Sequence, residues 1–63
     1  NPDAVPSLVD ALVDASALVR GHAAWALGRI GVPAARAALD RALARETASD
    51  VHAEIAAALA GEP

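Results

Sequence analysis

Cysteine, methionine, phenylalanine, tyrosine and lysine are all missing from these 63 residues. Without cysteine the chain forms no disulfide and offers no thiolate to zinc, an iron–sulfur cluster or a haem. No run approaches the ~18 uncharged apolar residues that a membrane span needs. The start Asn1-Pro2-Asp3 does not read as a signal peptide. A cytoplasmic setting and no membrane partner are therefore expected. No Ser/His/Asp set, phosphate loop or paired-carboxylate spacing stands out. His22 and His52 alone do not make a zinc site. The chain is expected to be no enzyme by itself and to hold no cofactor.

What is present is mostly alanine, 19 residues, with 15 more of Leu, Val and Ile together and a single aromatic, Trp25. A domain this small buries only about 60% of its unfolded surface, and an alanine core gains little from each side chain it hides. With no initiator methionine, the chain is expected to be excised from a larger protein. The net charge of −3 conceals a sorted pattern. Asp3, Asp10 and Asp14 make the first stretch acidic. Arg20, Arg29, Arg36, Arg41 and Arg45 against Asp40 make the middle basic, and Glu46, Asp50, Glu54 and Glu62 make the end acidic again. Such a pattern reads either as a solvated surface or as a basic band able to meet phosphate.

The apolar spacing is helical throughout. Pro2, Asp3 and Pro6 mark a helix start, with Val5, Leu8, Val9, Leu12 and Val13 on one face until about Asp14. Ser16 is placed to cap a second helix, whose stripe is Val19, Ala23, Leu27 and Ile30 and whose stop is Gly31. Pro33 opens a third helix, with Ala35, Leu39 and Leu43 inward. Ser49 is expected to cap a fourth, with Val51, Ile55 and Leu59 inward, ended by Gly61 and Pro63. No segment alternates with period two.

The halves resemble each other. An offset of 31 aligns Pro2 with Pro33, Leu8 with Leu39 and Leu12 with Leu43; an offset of 32 aligns Val19 with Val51, Ala24 with Ala56 and Leu27 with Leu59. The expected fold is all-α: two helical hairpins, residues 1–31 and 32–63, stacked as an α-α superhelix within one domain. Two repeats leave both ends of such a stack uncovered. Further repeats, the rest of a parent protein, or self-association through the end faces are the expected partners.

The run Ser16-Ala-Leu-Val-Arg-Gly-His-Ala-Ala-Trp-Ala-Leu-Gly-Arg-Ile-Gly31 resembles a HEAT-like repeat of the phycobiliprotein-lyase type. Together with Arg45-Glu46 and Val51, Glu54-Ile55 and Ala58-Leu59, it is similar to the C-terminal HEAT-like region of bacterial epoxyqueuosine reductase. That resemblance implies a tRNA-binding accessory segment of a cobalamin- and iron–sulfur-dependent enzyme of queuosine biosynthesis. Neither cofactor belongs to this stretch. His52 departs from the pattern, which has Arg there as at Arg20. Repeats of this kind also serve as protein scaffolds, the alternative reading, and as accessory parts of bilin lyases.

Leu18, His22, Trp25 and Arg29 form a second stripe on the second helix, roughly 125° from the first. Arg20, His22, Trp25 and Arg29 are the candidate nucleic-acid-binding residues, with Arg for phosphate, Trp for stacking and His for a hydrogen bond. Alternatively Leu18 and Trp25 pack on a neighbouring repeat, with His22 and Arg29 at its rim. Arg20 can instead pair with Asp14 or another turn carboxylate. Gly21 and Gly28 imply a close approach to their face, by a helix or by a phosphate. Arg36 with Asp40 is a four-residue pair, and Arg41 and Arg45 read as a solvated face.

Overall fold

The computed structural model describes residues 2–61. A 3-10 turn, Pro2–Ala4, leads into α1 (Val5–Ala11); α2 (Ala17–Ile30), α3 (Pro33–Arg45) and α4 (Ser49–Leu59) follow. There is no strand among the described residues. The fold is all-α, a helical repeat of two hairpins.

The turns follow from local chemistry. Val19 N–H donates to Ser16 Oγ (3.3 Å), so Ser16 is the cap expected for α2. Gly31 ends that helix at φ +69°, a left-handed backbone that suits glycine. Pro33 opens α3 in the first turn, where its missing N–H leaves no intrahelical bond unmade. Pro63 lies outside the described residues; Gly61, at φ +77°, follows the end of α4.

Three expectations about helix ends and side-chain pairing need correction. First, α1 stops at Ala11 rather than near Asp14. Val13 and Asp14 donate to Asp10 and Ala11, three residues back, so the chain tightens and turns away. Val13 is consequently 65% exposed instead of in the core. Second, Ser49 is not the cap of α4. Ala48 holds that position and, having no side-chain acceptor, makes no side-chain cap; its own N–H donates to Glu46 Oε2 at 3.0 Å. Third, Arg36 does not pair with Asp40. Its Nη2 donates to Leu59 O (2.8 Å), tying α3 to the end of α4.

The core is small and alanine-rich. Leu27, Leu39 and Ile55 are its fully buried large side chains, joined by Val5, Leu12, Val51 and the alanines at 23, 24, 35, 38, 42 and 58. Each of the three large residues contributes about 1.5–3 kcal/mol by leaving water. In α2 the buried side is Ala23, Ala24 and Leu27, with Val19 left 38% exposed. The inward face is thus rotated roughly 50° from the expected stripe, toward Gly28. The cause is α4. A Cβ built on Gly28 would lie 2.7 Å from Ala58 Cβ, so α2 and α4 meet nearly backbone to backbone. Gly21, one turn pair earlier, has nothing within 4 Å of its Cβ position, so the expected close approach occurs at only one of the two glycines.

This contrast sets opposite signs for one substitution. Gly28→Ala should lower the thermal midpoint, because overpacking against the Ala58 backbone, at about 1–3 kcal/mol, outweighs a helix-propensity gain of up to ~1 kcal/mol. Gly21→Ala should raise the midpoint by that propensity gain alone. Circular-dichroism melts of both variants check the pair.

Candidate functional site

The turn into α2 and the turn into α4 are built alike. Ser16 N–H donates to Asp14 Oδ1 (2.8 Å), and Ala48 N–H donates to Glu46 Oε2 (3.0 Å). The two carboxylates stand 32 residues apart, each accepting from the residue two positions on. Arg20 joins the turns. Its Nε and Nη2 donate to Glu46 Oε1 and Oε2 at 2.8 and 3.0 Å, a two-pronged pair, while Nη1 donates to the carbonyls of Asp14 and Ala15. The side chains are 17% and 4% exposed. The hydrogen bonds from Arg20, and then from Ala48 N–H, hold the Glu46 carboxyl below the usual glutamate range; the same contact raises the Arg20 guanidinium. Arg20 is therefore a cross-turn tie, with Glu46 as the partner that the sequence left unspecified.

The remaining candidates lie elsewhere. Leu18, His22, Trp25 and Arg29 are exposed on the side of α2 opposite its buried residues, Leu18 by 69% and Trp25 by 53%. Neither apolar side chain is part of the buried core. The Arg29 guanidinium carbon lies 5.7 Å from the centre of the Trp25 ring, within cation–π range. The structure thus brings His22, Trp25 and Arg29 to one face and turns Arg20 away from it.

Beside that face is an open groove of about 990 Å³, lined by Leu8 and Ala11 of α1, by residues of α2 from Ala17 to Ala26, and by Asp50, Val51 and Glu54 of α4. Its exposed lining is mainly apolar, and its formal charges are the two carboxylates. Asp50 Oδ1 accepts from Val51 N–H (2.9 Å). Asp50 and Glu54 were not legible as site residues: they sit 32 and 29 positions from Leu18 and Trp25, and only the packing of α4 along α2 brings them near. No three His, Asp or Glu side chains among the described residues converge as a metal-ligand set. No helix is long and apolar enough to cross a membrane.

The sequence of this fold matches the family described as HEAT repeats over residues 1–60. The chain belongs to the HEAT-repeat family. No curated protein and no solved structure matches it significantly. The HEAT-repeat assignment agrees with the all-α helical repeat; a specific relationship to epoxyqueuosine reductase is not among the matches.

The Arg20–Glu46 tie carries a pH prediction. Because the Glu46 carboxyl is depressed in the folded state, its stabilisation is present above the unfolded glutamate value, about 4.3. It is lost as pH falls through the lower folded value. Glu46→Gln should lower the melting midpoint at neutral pH and flatten its decline on acidification below about pH 4.3. Arg41→Lys, at an exposed position, should leave both unchanged. Melts across an acid series check this.

Proposed function

We propose that this chain is a non-catalytic protein-interaction module that docks through the exposed face of α2. The observation that carries the reading is the placement of Leu18 and Trp25: two large apolar side chains, mostly exposed, on the far side of a helix whose other side is fully packed. Such side chains bordering a concave, apolar groove fit a helix-in-groove mode of protein binding. Further HEAT repeats and a second copy of this chain are other ways of covering end faces, and a cytoplasmic setting accompanies the proposal.

A second reading has one specific observation in its favour. The Arg29–Trp25 stack, with His22 beside it, suits a phosphate and a base. It accords with the resemblance to the tRNA-facing segment of epoxyqueuosine reductase, whose parent enzyme would be a tRNA-modifying oxidoreductase. Two features weigh against it. Arg20 is committed to Glu46, and the formal charges lining the groove are carboxylates.

Trp25 is the only fluorophore of its kind in the chain, so its emission reports on this face directly. Titration with a tryptophan-free amphipathic helical peptide should shift that emission, and Leu18→Asp should abolish the shift while leaving the helical circular-dichroism spectrum intact. A tRNA anticodon arm should give no shift. The RNA reading wins instead if the arm binds, loses affinity steeply between about 50 and 200 mM salt, and is weakened by Arg29→Ala.

A further inference from the structure

The groove's electrostatics narrow the class of partner. Its apolar part comprises exposed Leu18 and Trp25 with the half-exposed Val19 between the α1 and α4 margins. Its α4 margin carries Asp50 and Glu54, four residues apart on one helix face. Both are exposed, and neither forms an ion pair among the described residues. Every arginine lies outside the lining set. Arg20 is held by Glu46, Arg36 by Leu59 O, and Arg29 stacks on Trp25. His22 is the only lining group able to add positive charge. The groove therefore presents an apolar strip with two carboxylates along one side, of which Asp50 also lies in the field of the Arg20 guanidinium.

Resting on the protein-docking reading above, we infer that the occupant is an amphipathic helical segment of another protein, its apolar face bordered by Arg or Lys. The apolar strip takes the hydrophobic anchors and Asp50 and Glu54 take the basic flank. Complementary charges speed encounter and fix orientation more than they set total affinity. A like-charged flank is repelled, which gives selectivity against acidic helices. A second copy of this chain fits poorly as occupant. Its α4 is acidic, its Arg20 is held by Glu46, and its α3 carries exposed Arg41 and Arg45 but buries its own apolar face, Ala35, Ala38, Leu39 and Ala42.

The test uses three tryptophan-free peptides with the same apolar face, flanked by Lys, Gln or Glu, titrated against Trp25 emission. The Lys-flanked peptide should bind about tenfold tighter than the Gln-flanked one at low salt, as expected for two rim charge pairs, and the Glu-flanked one weakest. The double variant Asp50→Asn, Glu54→Gln keeps the Asp50 side-chain oxygen that accepts from Val51, so it should fold, with circular dichroism as control. It should equalise Lys- and Gln-flanked affinities without weakening the latter. Equal affinity for all three peptides in the unaltered chain overturns the basic-partner inference and leaves docking intact. Binding of none overturns both. A preference for Lys that survives the double variant places the acidic contact elsewhere and overturns the assignment to α4.

Discussion

The close approach of α2 and α4 at Gly28 and Ala58 is the constraint from which the remaining geometry follows. With little side-chain volume between them, the helices lie side by side in the same direction. Arg20 and Glu46 join their starts, while Gly28 and Ala58 touch near their ends. This contact decides which side of α2 is buried. It turns Ala24 and Leu27 inward and leaves Leu18, Trp25 and Arg29 facing out. A bulkier seam would hold the helices apart and remove the meeting of the α2 face with Asp50 and Glu54.

Positions matched by the 32-residue offset differ in burial, and the difference has a direction. Val51 is buried while Val19 is half-exposed; Ala24 is buried while Ala56 is exposed. Each of these helices has its counterpart on one side only. Repeat stacking therefore buries opposite edges of related sequences, and the uncovered edge of α2 is the one that borders the groove. The polar tie between the turns obeys the same asymmetry. Arg20 bridges its own turn to the next, whereas His52, at the corresponding place, is exposed.

The four helices were legible because proline, serine and glycine mark their ends with distinct backbone demands. Gly31 and Pro33 bound their helices as those demands require. The inward side of α2 was less legible. Alanines at 17, 23, 24 and 26 spread over much of that helix, so the apolar period is faint, and the seam with α4 selects the buried edge. Ser49 misled because serine is a good cap in isolation, whereas Ser49 is already the first helical residue and the cap position falls on Ala48. Of the four candidate site residues, His22, Trp25 and Arg29 share a face as their spacing requires, but Arg20 needed a partner 26 residues away to be understood.

The proposed interaction surface is the uncovered face of α2 with the start of α4. Mapping amide chemical shifts along the chain while a Lys-flanked amphipathic peptide is added tests this most directly. The expected shifts concentrate at residues 17–26 and 50–54, with α3 silent. Shifts centred on the outer face of α3, around Arg41 and Arg45, would contradict it.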